Sequence, residues 1–200
     1  MSLLNAWLTE TDAIVTVDSD GVRDDGARLP SSKLLVIPHL NAVLAIRGQS
    51  AFLHFLFLRC ASAGFDTFDE MCDALPDMIA NMDASVPDEL IAKNCRIGNE
   101  LLVVGWSHRK MEMLGRQFVK RDEMTEYTDT EFSMHISPWD KSMPHIPKEP
   151  KLFQEIAIAQ VDWMRSTFPN AACGGTLIMA HITKDSVTVK HKMQFPRVEH

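Results

Sequence analysis

The sequence predicts an α+β fold, and three observations carry it. Apolar runs of strand length come in adjacent pairs, helix-period segments come in blocks, and the two kinds do not alternate regularly. Residues 3–8 and 13–17 are short β-prone runs separated by the polar stretch Thr9, Glu10, Thr11 and Asp12, which reads as a hairpin. A loop rich in Gly and Asp (19–32) follows. Residues 33–37 and 42–46 then flank Pro38, His39, Leu40 and Asn41. Beyond Lys33 both runs are continuously apolar, as expected of strands covered on both faces.

The period then changes. Ser50 is placed to cap a helix reaching about Ala63, with Gly64 to end it. Phe52, Leu53, Phe55, Leu56, Phe57 and Leu58 make that helix apolar nearly all round, which predicts burial. Thr67 and Glu70 form a capping-box pattern for a second helix, with Phe68, Met71, Leu75 and Met78 on one side. Pro76 is expected to kink that helix or end it early. Residues 100–106 and 111–119 bracket Ser107, His108, Arg109 and Lys110 as a third hairpin. Pro138, Pro144, Pro147 and Pro150 impose an extended connection. Residues 152–167 form an amphipathic helix with Leu152, Ile156, Ala159 and Trp163 along one stripe, and a last hairpin (176–183, 187–195) turns at Lys184, Asp185 and Ser186. No repeat divides the chain, so it reads as a single domain over residues 1–200.

A content of 46% hydrophobic and 24% charged residues excludes a disordered, collagen-like or disulfide-framework chain. The net charge of -7 argues against nucleic acid, whose phosphates would be repelled over most of the surface. Cys60, Cys72, Cys95 and Cys173 form no CxxC pair and read as reduced thiols of a cytoplasmic protein. The most apolar stretch, 52–58, is interrupted by His54 and closed by Arg59, so no membrane span is expected, and the N-terminus has no export pattern. Eight acidic residues and no Lys or Arg lie between Cys60 and Ala92, whereas seven basic residues stand against Glu100 and Glu112 from Lys93 to Arg121. These blocks are either two solvated faces of opposite sign or a complementary interface between copies.

Familiar chemical signatures are missing: there is no Gly-rich phosphate loop, HExxH, GxSxG or Cys/His cluster at metal spacing. Neither a metal nor a cofactor is expected. What remains is a constellation near the start of the chain. Centring the first hairpin on Glu10 puts Ser2 opposite Asp18, with Cβ atoms about 5 Å apart. Centring the second between Leu40 and Asn41 puts Lys33 opposite Gly48. Side by side, the two hairpins would bring a hydroxyl, a carboxylate, an ammonium and a glycine amide together.

In element order the chain resembles the proteasome β-subunit type of N-terminal-nucleophile (Ntn) hydrolase, including the related bacterial ATP-dependent peptidases. The resemblance is carried by AIVTVDS at 13–19, SKLLVI at 32–37, AIRG at 45–48 and GGTLIMAHITKD at 174–185. In that family the mature chain begins with its nucleophile. An aspartate follows 16 residues later, then a lysine opening the third strand, then a glycine after the fourth. Ser2, Asp18, Lys33 and Gly48 match those places, with the 16-residue spacing kept.

The resemblance implies a four-layer αββα sandwich, two mainly antiparallel sheets between helix layers, and a homo-oligomeric ring. It implies hydrolysis of a peptide or small amide, with an ATP-dependent unfoldase as a potential partner. Removal of Met1 would leave Ser2 with a free α-amine, which titrates near neutral pH and can take the hydroxyl proton. Lys33 would hold down the pKa of that amine, Asp18 would keep Lys33 ionised, and the Gly48 amide would donate to the oxyanion. Gly48 has a plainer role open to it, in a left-handed turn before Ser50.

The match departs from the family at Asn170 and Cys173, which replace a supporting aspartate and serine just before Gly174 and Gly175. Asparagine supplies no charge, and a thiol is a weaker partner than a hydroxyl. The rival expectation is therefore an inactive scaffold or binding subunit of the same architecture. An unrelated α+β binding domain would follow if residues 2–48 were not two hairpins.

Overall fold

A computed structural model describes residues 2–22, 27–85, 99–120, 126–141, 143, 153–168 and 173–196. Strands β1 (Leu4–Leu8) and β2 (Asp12–Asp18) form the first hairpin. Its turn is tight: Thr9 N–H donates to Asp12 O at 2.8 Å, and Thr9 Oγ1 accepts from Asp12 N–H at 3.0 Å. Leu4 pairs with Val17 and Leu8 with Ala13. The turn is thus centred between Glu10 and Thr11, and the ladder continued one step puts Asp18 level with Leu3 rather than Ser2.

Within the stretch read as a loop, β3 (Asp20–Val22) and β4 (Arg28–Pro30) pair with each other. The second large hairpin joins β5 (Leu34–Ile37) to β6 (Ala42–Arg47). A 3-10 turn, Pro38–Leu40, and Asn41 at a left-handed φ of 47° connect them. This four-residue connection is centred one residue earlier than expected. Leu34 pairs with Ala45, and Ile46 N–H donates to Lys33 O at 2.9 Å, so Lys33 does not face Gly48.

Helix α1 (Ser50–Ser62) has Gln49, not Ser50, at its N-cap. Phe52, Leu53, Leu56 and Cys60 are buried, but Phe55 and Leu58 are more than 60% exposed. Lying against a sheet on one side, the helix keeps an outer face, and the expectation of burial all round fails there. In α2 (Phe68–Ser85) Thr67 Oγ1 accepts from Glu70 N–H at 3.2 Å, while the Glu70 carboxylate accepts from Asp66 N–H instead of closing the box on Thr67. Pro76 does not end this helix early. Proline cannot donate to the carbonyl four residues back; that carbonyl, on Cys72, accepts from the Arg116 guanidinium.

The third hairpin is β7 (Asn99–Ser107) with β8 (Glu112–Lys120), turning through Met111 at a φ of 58°. Two strands not anticipated, β9 (Thr128–Phe132) and β10 (Met134–Ser137), follow. Helix α3 (Phe153–Thr167) buries Phe153, Ile156, Ala157, Gln160, Val161 and Met164. Ala159 and Trp163 are only half-buried, so the inward stripe is rotated from the expected one. Strands β11 (Thr176–Thr183) and β12 (Val187–Gln194) make the last hairpin. Asn170, Leu152, Cys95, residues 142 and 144–150 of the proline-rich connection, and 86–98 and 121 of the charge blocks lie outside the described residues.

The fold is α+β. Its strand orders are β10-β1-β2-β11-β12, β3-β4 and β5-β6-β7-β8-β9, with antiparallel pairing between the described neighbours. Alternate residues of β6 enter two different cores. Ala42, Leu44 and Ile46 join α1, α2, Leu101, Val103 and Phe118 in one. Val43 and Ala45 meet Leu4, Ala6, Val15, Val17, Ala180 and Ile182 of the other large sheet in the second. A third core sets Ala157, Val161 and Met164 of α3 against Leu3, Cys173, Leu177 and Phe195. No helix among the described residues is long and apolar enough to cross a membrane.

Candidate active site

The two large sheets pack face to face through one core, and near the start of β1 the chain buries an ion pair between them. Lys33 Nζ lies 2.9 Å from Asp18 Oδ2, with the side chains 4% and 0% exposed. The same ammonium donates to Ser2 Oγ at 2.8 Å. Lys33 stands just before β5 and Asp18 ends β2, so the contact joins one sheet to the other. Asp18 is further held by Leu3 N–H on Oδ1 at 2.9 Å and Gly174 N–H on Oδ2 at 3.1 Å. Burial pushes the Asp18 carboxyl up, and the Lys33 ammonium and the two amides pull against it.

Ser2, Asp18 and Lys33 are thus brought together, although by a different register from the expected one. Lys33, not cross-strand opposition, links Asp18 to Ser2. Gly48 follows β6 with a φ of 143°, and a Cβ there would fall 2.2 Å from Asn99 Oδ1. Both facts require glycine at this point. Asn99 Oδ1 instead accepts from Gln49 N–H at 2.9 Å, which fixes the bend leading into α1.

Cys173 is fully buried, and burial, with the Asp18 charge as a lesser cause, drives its thiol well above the ordinary range. It is therefore a neutral thiol, not a nucleophile. Gly174 and Gly175 take φ values of 137° and 69°, and a Cβ on Gly175 would lie 2.5 Å from both Asp20 Oδ1 and Ser19 Oγ.

Three participants escape the sequence reading: the Leu3 amide, the Gly174 amide and Arg47. Arg47 Nε donates to the carbonyl oxygen of Ser2 at 2.9 Å. The Gly174-Gly175 pair was a usable signal for the second, since paired glycines mark close backbone approach. No group of three or more His, Cys, Asp and Glu among the described residues is placed to hold a metal ion. No protein-family model and no curated protein matches the chain.

The arrangement has a definite chemical capacity. A hydroxyl that accepts a hydrogen bond from an ammonium keeps its own proton for a base, and its developing oxyanion is stabilised by the adjacent positive charge. The paired carboxylate holds the ammonium in place without touching the hydroxyl.

Proposed function

We propose that the chain is a proteasome-like N-terminal-nucleophile hydrolase that cleaves a peptide or small amide through Ser2. The observation that carries this reading is the buried ammonium of Lys33 shared between Ser2 Oγ at 2.8 Å and Asp18 Oδ2 at 2.9 Å. Removal of Met1 frees the α-amine, which takes the Ser2 proton as Oγ attacks the substrate carbonyl. Lys33 stabilises the alkoxide and keeps the amine from being protonated near neutral pH, and Asp18 anchors Lys33. The Gly48 amide serves the oxyanion. The leaving amine takes the proton back, and water releases the acyl group by the same route reversed.

The three cores support reading the fold as a four-layer αββα sandwich, with helices outside both sheets. Exposed Phe55 and Leu58 on α1 supply apolar surface for contact between copies in a ring. A cytoplasmic location and an unfoldase partner belong to the same reading. The inactive-scaffold alternative draws on Cys173, a buried neutral thiol where the family's active members carry a hydroxyl.

The test is intact-mass spectrometry of untagged protein before and after a β-lactone. Ser2 Oγ opens the ring at the acyl–oxygen bond, forming an ester while the released ring oxygen takes the proton, so the mass rises by one whole lactone. Loss of Met1 and one adduct on Ser2, abolished in Lys33→Ala, is the expected result. A retained Met1, or an unmodified Ser2 under conditions that label an active Ntn hydrolase, would overturn the catalytic reading in favour of the scaffold.

A further inference from the structure

Arg47 is the last residue of β6 and pairs with Glu100 of β7 in the ladder. Its Nη1 donates to Glu100 Oε2 at 3.2 Å while its Nε donates to Ser2 O at 2.9 Å. Glu100 Oε2 also accepts from Ser137 Oγ at 2.5 Å, and Ser137 pairs with Leu4 in the ladder between β10 and β1. A closed circuit therefore runs from Ser2 through Arg47, Glu100 and Ser137 back to the strand that Ser2 precedes.

The Ser2 carbonyl and the Leu3 N–H belong to one planar peptide unit. Arg47 holds the oxygen edge of that plane, and Asp18 Oδ1 accepts from its N–H edge at 2.9 Å. With both edges gripped, rotation about the χ1 bond is the main freedom left to the Ser2 hydroxyl, and Lys33 takes it up. Arg47 reaches neither the hydroxyl nor Lys33 through any hydrogen bond among the described residues. Fixing a single hydrogen bond to a backbone carbonyl beside a nucleophile is a means of orientation, because small displacements there are costly to rate.

We propose that Arg47 is a positioning residue for Ser2, clamping the Ser2–Leu3 peptide plane from the side opposite Asp18. The role in reactivity rests on Ser2 being the nucleophile; the clamp itself does not. The pair Ser-Leu occurs once in the chain, at residues 2 and 3. Protein made with carbonyl-labelled serine and nitrogen-labelled leucine therefore gives one NMR correlation, across this peptide alone.

In Arg47→Met the Ser2 carbonyl resonance is expected to move upfield, and the β-lactone reaction at Ser2 to slow by about 10- to 100-fold. The pH midpoint of that reaction should stay where it is in Arg47→Lys, which keeps the positive charge beside the Ser2 backbone. Arg47→Lys, which keeps a donor, should recover part of both effects and serves if the methionine variant folds poorly. An unmoved resonance overturns the clamp. A moved resonance with an unchanged rate in a reactive protein overturns the positioning role. If the parent protein forms no adduct, the hydrolase reading fails and takes the reactivity role with it, while the resonance still decides whether Arg47 holds the peptide.

Discussion

Two buried carboxylates, Asp18 and Asp69, organise opposite parts of this molecule in different ways. Asp69, on α2, accepts from Ser107 Oγ at 2.6 Å and from Arg109 N–H at 3.0 Å. Ser107 Oγ in turn accepts from Lys110 N–H at 3.0 Å. Carboxylate, hydroxyl and amides are spent on each other, and the result ties α2 to the turn between β7 and β8. Asp18 also accepts two backbone amides, from Leu3 and Gly174, but its third partner is an ammonium that reaches on to a serine. The direction of the serine hydrogen bond separates the two. Ser107 gives its proton to a carboxylate, whereas Ser2 accepts from Lys33 and keeps its proton. One cluster closes on itself; the other leaves a hydroxyl whose proton is not given to the carboxylate.

Removing the ammonium should have the largest effect on either cluster. Lys33→Met leaves Asp18 buried and uncompensated, and urea denaturation is expected to show a loss of about 3–5 kcal/mol. The double variant Asp18→Leu/Lys33→Met replaces the pair with apolar groups and should recover most of that loss while staying unreactive at Ser2. Recovery of reactivity in the double variant would deny Lys33 its chemical part.

Asp69→Asn is the matching change in the structural cluster. It weakens two hydrogen bonds without stranding a charge, and about 1–2 kcal/mol should be lost in the same assay. Adduct formation at Ser2 should persist. A variant that folds normally yet no longer labels would mean that the two clusters are coupled.

The smallest effect concerns pH. His135 Nε2 is buried 4.0 Å from Glu100 Oε2 without a hydrogen-bond partner among the described residues. Burial holds its imidazole below the ordinary value, Glu100 opposes that shift and Arg47 adds to it. The unfolded chain takes a proton near pH 6.5 that the folded chain resists. Stability should therefore fall as pH drops through about 6.5 towards the lowered folded value, and His135→Gln should flatten that part of the pH–stability curve. An unchanged slope would mean that His135 does not contribute to it.

Much of the site was legible because its members announce themselves by residue type at element ends. Ser2, Asp18 and Lys33 flank three apolar strands, and a polar or charged residue at such a boundary is conspicuous. Their register was not legible. A turn centred between two residues instead of on one moved Asp18 from Ser2 to Leu3, and a connection centred between His39 and Leu40 instead of one residue later moved Lys33 from Gly48 to Ile46. Arg47 with Glu100 was beyond reach for another reason: the partners stand on strands 53 residues apart, and pairing across such a gap leaves no local pattern. Strand β9 escaped because four of its five residues are exposed, so neither apolar run nor alternation marked it.

Local sequence pattern is enough to assign strands and helices over most of the chain, since apolar period and turn chemistry act over a few residues. It also places a hydroxyl, a carboxylate, an ammonium and a glycine near strand ends. Tertiary structure alone decided which of them touch. Asp18 meets Lys33 because two sheets pack through one core, and Ser2 is held from behind because Arg47 and Glu100 end adjacent strands. Such contacts follow from how whole sheets dock, and a buried charge takes its place only where a partner arrives from the other side.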